Sequence, residues 1–400
     1  MFDQLNSRPA DSLLALIKAF QADDRPGKID LGVGVYRDAM GHTPVMHAVK
    51  AAEQFLLETQ DSKKYLGPEG DLQFVRLLEP IIFGKSPKFA QRLAGIQTPG
   101  GSGALRLGAE LIKAANPSAK VLLGTPSWPN HAPIFASARL DVKEYEFIDL
   151  TLQQVTFESV VSALSSAGEG DVVLLHGCCH NPTGIDFTME QWREITDLLL
   201  THRLVPFIDL AYQGLGDGLE QDAAPTRMIL NAVDEALIAY SCDKNFGLYR
   251  ERVGALYVVA RNADDVRKAE SNVAALARVN WSMPPDHGAA IVRCILESPE
   301  MTAMWRVELD EMCERVNGNR SALAAASPDL AFIGRQRGLF SNLSMAKEMA
   351  VVLRARHGIY MADSGRMNLA GMQPADADAI VAALRAEGCL GVVIEHTVGA

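Results

Sequence analysis

The chain reads as an α/β protein built on a mostly parallel mixed sheet flanked by helices, with a smaller α+β unit beside it. Three observations predict this. Short β-rich runs, KVLLG (120–124), DVVLLHG (171–177), LVPFIDL (204–210), ALIAYS (236–241) and VGALYVVA (253–260), alternate with longer segments of helical periodicity. The first four of these runs each release polar or aromatic side chains at the same end. Finally, 400 residues exceed one ordinary domain, so a large domain with a smaller companion is expected.

Taken in order, an extended stretch, KIDLGVGVYRD (28–38), precedes the first helix of the main body. Helical periodicity then marks 189–202, 265–278 and a long stretch from Pro299 to Ala326. The last hundred residues have the mixed pattern of a small α+β unit. The second domain is therefore expected to combine both chain ends: an N-terminal segment 1–43, a large domain 44–311 and a small C-terminal domain 312–400.

Composition narrows the function. An apolar fraction of 48% supplies a sizeable core, and a net charge of −11 disfavours a nucleic-acid or anionic-membrane partner. The six cysteines form no C-x-x-C pair and no zinc-like His/Cys spacing, which fits a reducing cytoplasm and predicts no metal. MFDQLNSRPADS has neither the basic start nor the apolar core of a signal peptide, and no apolar run approaches bilayer length.

The strand ends carry the functional argument, because open α/β sheets bind ligands beyond the carboxyl ends of their strands. After 120–124 come Trp128 and His131; after 171–177 comes Asn181; after LVPFI (204–208) come Asp209 and Tyr212; after 236–241 comes Lys244. A lone buried His or Trp is more often core, but four such releases at one edge define a site. The turn QTPGGSG (97–103) opens a helical run, and unpaired N–H groups at the start of a helix suit a phosphate. The turn is neither a Walker loop nor a dinucleotide fingerprint. Lys244 has two readings, a solvated lysine at a strand end or an amine nucleophile at the mouth of a pocket.

SCDKNFGLYRERVG (241–254), HGCCHNPTGID (176–186), IDLAYQG (208–214), SWPNH (127–131), TPGGSGALR (98–106) and SGRMNLAGM (364–372) together resemble the class I aminotransferases, the fold-type I enzymes that use pyridoxal phosphate. The resemblance runs from about Asp11 to Gly371 in the family's order. It implies that Lys244 is the Schiff-base lysine and that Asp209 faces the pyridine nitrogen and keeps it protonated, so that the ring acts as an electron sink. His131 becomes the partner orienting Asp209, although an ordinary buried histidine explains it nearly as well. Tyr212 and Asn181 become donors to the cofactor's phenolic oxygen, and Trp128 the residue stacked on its ring. Gly101, Ser102, Ser241 and Arg252 become the phosphate cradle.

By the same resemblance Tyr65 reaches the phosphate of a neighbouring subunit, which implies a homodimer with shared active sites. Arg366 clamps the α-carboxylate, Arg278 reaches across the dimer to a distal carboxylate, and Gly34, Trp128 and Asn181 complete the substrate contacts. One position departs from the pattern. Asp243 stands where the family usually has a phosphate-binding serine, and it is expected to turn away or to be neutralised by Arg252 or another base.

The implied reaction is a ping-pong transamination. Ser102 in place of threonine, and Met283 in place of an asparagine, make the pocket roomier and less polar, which favours Phe, Tyr and Trp with 2-oxoglutarate as acceptor. Aspartate transamination is the alternative; a decarboxylase on the same fold and a non-catalytic cofactor-binding module rank below both.

Overall fold

A computed structural model describes residues 1–7 and 12–390. Positions 8–11 of the expected N-terminal segment and 391–400 of the expected C-terminal domain lie outside the described residues.

The centre of the chain is a seven-stranded sheet. Its strands, numbered in chain order, are β1 (Leu93–Pro99), β2 (Lys120–Thr125), β3 (Asp141–Glu146), β4 (Val172–His176), β5 (Val205–Leu210), β6 (Ala236–Ser241) and β7 (Val253–Val259). In space they run β1-β7-β6-β5-β4-β2-β3. The pairs β3–β2, β2–β4, β4–β5 and β5–β6 are parallel, whereas β7 is antiparallel to both β6 and β1. A parallel return needs a crossover of a dozen or more residues, usually helical. Residues 242–252 contain no helix, so the chain turns back on itself at β7.

Alternate side chains feed the two faces, as the pleat requires. Leu122, Val173, Leu175, Ile208, Ile238 and Tyr240 enter one apolar cluster; Val121, Leu123, Val172, Leu174, Phe207, Leu237 and Ala239 enter the other. With both faces covered, the inner strands read as continuous apolar runs. Strand β3 is the exception. As an edge strand it is DVKEYE, with no buried residue, and its charges guard the open edge against pairing with another chain. That polarity hid it from the sequence reading.

The helices follow local rules. Met189–His202 starts at a capping box in which Thr188 and Gln191 satisfy each other's backbone N–H groups. Ala263–Asn280 starts at Asn262, whose side chain accepts from the N–H groups of Asp264 and Asp265. Pro299–Ala326 carries proline at its first position and the Ser298 hydroxyl as its cap.

A third apolar cluster joins the chain ends: Ile29 and Leu31 pack with Leu323, Leu330, Leu353, Met367, Leu369 and Ile380. Ile29–Asp30 pairs in parallel with Ile359–Tyr360, and Phe340–Asn342 pairs antiparallel with Arg366–Asn368. The helix Pro299–Ala326 connects this cluster to the first, so position 311/312 falls within a single helix. It places Trp305, Leu309, Met312 and Val316 in the first cluster and Leu323 in the third. Among the described residues no helix is long and apolar enough to cross a membrane.

Trp305 is fully buried, stacks on Phe246 at 4.4 Å and donates through Nε1 to the carbonyl of Asn245 at 2.7 Å. Trp305→Ala removes the ring and orphans that carbonyl, so a loss of about 3–5 kcal/mol is expected. Urea denaturation of the variant against the parent measures it.

Candidate active site

Strands β2, β4, β5 and β6 lie side by side and parallel, so their carboxyl ends open on one edge. There a cleft of about 510 Å³ is lined by Gly101, Ser102, Leu105, Trp128, His176, Cys178, Asn181, Asp209, Ala211, Tyr212, Ser241, Asp243 and Lys244. Eight of these residues were expected from the sequence.

Lys244 follows β6 by three residues. Its Nζ lies 5.2 Å from the centre of the Tyr212 ring and 3.9 Å from Asp243 Oδ2. Burial lowers its pKa from the ordinary lysine range, against the opposing pull of the Asp243 and Asp209 carboxylates, with Arg252 adding to the lowering. An amine placed in this way is readier to act as nucleophile and base than a solvated lysine.

Asp209 is buried and hydrogen-bonded to His131 Nε2 at 3.0 Å. Burial works against its charge, but the His131 hydrogen bond, helped by the neighbouring His131, His176 and Lys244 side chains, outweighs it, and its pKa is lowered. An ionised carboxylate can only accept, which fixes the proton on His131 Nε2 and leaves Nδ1 as acceptor. Ser127 Oγ, 2.8 Å from that Nδ1, donates to it and accepts from His176 Nε2 at 3.1 Å. A directed chain thus runs from His176 through Ser127 and His131 to Asp209. His131 is the orienting partner of Asp209, whereas Ser127 and His176 were not among the expected residues. His176 ends β4, so the same strand-end rule could have found it.

Tyr212 and Asn181 meet at the opposite wall, where Asn181 Nδ2 donates to the phenolic oxygen at 3.4 Å. Burial raises the Tyr212 pKa. Arg366 reaches this wall from the third cluster: Nη1 is 3.5 Å from Asn181 Oδ1, Nη2 donates to the carbonyl of Gly32 at 3.1 Å, and the guanidinium lies 4.6 Å over the Phe340 ring. Its buried Nε has no partner. Gly34 packs on the same Phe340, and a Cβ there would lie 2.9 Å from the ring.

Gly100 opens the helix Gly100–Ala115 with φ +70, which favours glycine, and no side chain caps that helix. The helix start therefore presents its N–H groups to the cleft beside Gly101 and Ser102. A Cβ on Gly101 would meet Ser241 at 3.1 Å, and one on Gly100 would lie 2.5 Å from Arg252 Nη2. Arg252 itself holds φ +54, a left-handed backbone that costs a non-glycine residue energy. Asp243 takes Arg252 Nη1 at 2.5 Å, so the expected neutralisation by Arg252 is present.

Tyr65 is 89% exposed, and Arg278 is exposed near the end of its helix; neither lines the cleft of its own chain. Met283 does not line it either, its sulfur accepting instead from the backbone N–H of Leu66 at 3.0 Å. Cys178, Cys179 and Asp222 bring potential ligand atoms within 4.8 Å of one another. The Asp222 carboxylate, however, is committed to the N–H groups of Gly214, Gly216 and Asp217.

A buried amine and a buried carboxylate in one cleft, with a helix-start anion cradle beside them and an arginine reaching the wall, make the arrangement of an enzyme that works on amino acids through an aldehyde cofactor. Residues 26–384 match the family described as aminotransferase class I and II, and the chain belongs to it. It is an aminotransferase, and its cofactor is pyridoxal 5′-phosphate. The chain is 51% identical over 381 residues to a tyrosine aminotransferase of Rhizobium meliloti (strain 1021), covering 94% of this chain and 97% of that one. It is 44% identical over 396 residues to an aspartate aminotransferase of Salmonella typhi, covering 96% and 100%. The structure of an aromatic-amino-acid aminotransferase from Burkholderia pseudomallei, covalently bound to pyridoxal phosphate, superposes with a TM-score of 0.92 at 37% identity, covering 97% of this chain and 99% of that one.

The residues present fit that cofactor: an uncapped helix start for its phosphate, a carboxylate for its ring nitrogen and an amine for its aldehyde. The histidine chain adds a pH consequence. Burial, with the neighbouring His131, pushes the His176 pKa down to about 3, against the pull of Asp209. Between that value and about 6.5 the unfolded chain binds a proton that the folded chain refuses. Stability is therefore expected to fall as pH drops below about 6.5, with this residue contributing a slope approaching 1.4 kcal/mol per pH unit. Urea titrations from pH 7 to 4 should show His176→Asn removing its share of that slope.

Proposed function

We propose that this aminotransferase takes aromatic amino acids, with 2-oxoglutarate as the acceptor, and accepts dicarboxylic amino acids as well. The observation that carries the site reading is Lys244, a buried amine of lowered pKa in the same cleft as Asp209, Tyr212 and the uncapped helix start. When bound, pyridoxal phosphate supplies an electron sink that lets an amino acid lose its α-proton.

In this reading Lys244 Nζ takes and returns the α-proton. Asp209, aligned by His131, holds a proton on the ring nitrogen. Tyr212 Oη and Asn181 Nδ2 donate to the phenolic oxygen, and Trp128 covers the ring and keeps water from it. Gly101, Ser102, Ser241 and Arg252 hold the phosphate. Arg366, whose buried Nε is free, clamps the α-carboxylate, and Gly34 leaves room beside Phe340.

The exposed Tyr65 and Arg278 support a homodimer in which each completes the partner's site. The aromatic preference rests on the tyrosine and aromatic-amino-acid relatives and on Ser102, since Met283, expected to widen the pocket, lies outside the cleft of its own chain; aspartate, named for the Salmonella relative, is the second reading. All six cysteines are free, which supports placement in the reducing cytoplasm. The third apolar cluster supports a small domain that joins the segment 1–43 to 312–400 beside a large domain 44–311, with Met312 and Val316 still packed in the core of the large one.

Two measurements test this. Lys244→Ala is expected to fold and to lose turnover by at least roughly 10³-fold, read as steady-state transamination. Arg278→Ala is expected to lower kcat/KM for aspartate by roughly 100-fold and to leave that for phenylalanine within a few-fold, since only aspartate presents a second carboxylate. A wild type that used aspartate well and phenylalanine hardly at all would overturn the aromatic reading.

A further inference from the structure

Asp243 brings a carboxylate to the anion end of the cleft. It is 5% exposed and lines the cleft beside Ser241 and Lys244. Oδ2 takes the Arg252 guanidinium at 2.5 Å and lies 3.9 Å from Lys244 Nζ, while Oδ1 is buried without a partner. The same guanidinium lies against the uncapped helix start at Gly100. Arg252 and Lys244, two positive groups at this end, therefore already face an anion that belongs to the protein.

We propose that Asp243 is an internal anion that engages Arg252 until the cofactor's phosphate displaces it, so that this residue sets how tightly, and how selectively for the phosphorylated form, the cofactor is held. The inference rests on the cofactor reading of the cleft. A phosphate carries about 1.5 to 2 negative charges. At a few ångströms from a buried carboxylate the repulsion offsets much of what Arg252 offers. Arg252 Nη1 cannot give its full strength to both anions, and the unpartnered Oδ1 has no donor to screen it. The chain accordingly exchanges cofactor more readily than it would with a neutral residue at 243. Without cofactor, the Asp243–Arg252 pair keeps the cations from repelling one another.

The test uses the full-length protein freed of cofactor, titrated calorimetrically with pyridoxamine 5′-phosphate and with pyridoxamine. Asp243→Asn is expected to bind the phosphorylated compound roughly tenfold tighter or more than wild type, with pyridoxamine affinity unchanged within about twofold. The cofactor-free variant is expected to melt below cofactor-free wild type. Asp243→Ser gives the same readout should the asparagine variant fail to fold. Unchanged or weaker binding of the phosphorylated compound by a folded variant would overturn the proposal, because Asp243 would then orient Arg252 rather than compete for it. Equal tightening for both compounds would also overturn it. Wild type that bound neither compound would instead refute the cofactor reading on which the inference stands.

Discussion

The hydrogen bond from His131 to Asp209 is the interaction on which the rest of the site depends. A carboxylate at the inner end of a strand, almost out of reach of water, survives as a charge only if something answers it. Here the answer is a row of neighbours held by three parallel strands: His131 beyond β2, His176 at the end of β4 and Lys244 beyond β6. Each would be costly alone in that environment. Together they fix one another's protonation: Asp209 stays ionised, His176 neutral, and Lys244 loses part of its hold on its proton. The sheet supplies the spacing, since adjacent strands bring their ends within side-chain reach.

The second requirement is an anion site at the other end of the same cleft, and the fold meets it with backbone. Gly100 takes a conformation open to glycine so that the helix can begin without a capping side chain. Arg252 accepts a left-handed backbone to bring its guanidinium against that start. One glycine-only turn and one strained arginine are thereby converted into a fixed charge pattern, held in place by close packing between β6, β7 and the helix.

Much of this was legible in the sequence, and the limits of that legibility have physical causes. The inner strands announced themselves because burial on both faces demands unbroken apolar runs, and the 28-residue helix was readable from end to end because proline and serine mark its start. Strand β3 was invisible because an edge needs charge rather than grease. The reversal of β7 lies in the shortness of its connection, which strand composition does not reveal. Lys244, Asp209, Trp128 and Asn181 were found because they lie at or just beyond strand ends. Ser127 was passed over because its role exists only through a third residue, and hydrogen bonds between distant segments leave no local signature; His176 sits at a strand end but acts only through Ser127. Tyr65 and Arg278 stay outside the cleft of their own chain, so a single chain cannot show what they complete.

The helix Pro299–Ala326 has a mechanical meaning. Twenty-eight residues at 1.5 Å each make a rod of about 42 Å. Trp305 and Leu309 pin one end to the core that carries Lys244, and Leu323 pins the other to the core that carries Arg366. Trp305 and Leu323 lie about 27 Å apart along it, so a tilt of ~5° about Trp305 would carry Leu323 about 2 Å. A small rotation at the sheet would therefore be felt, through this one rod, as a shift of the core that carries Arg366 relative to the cleft.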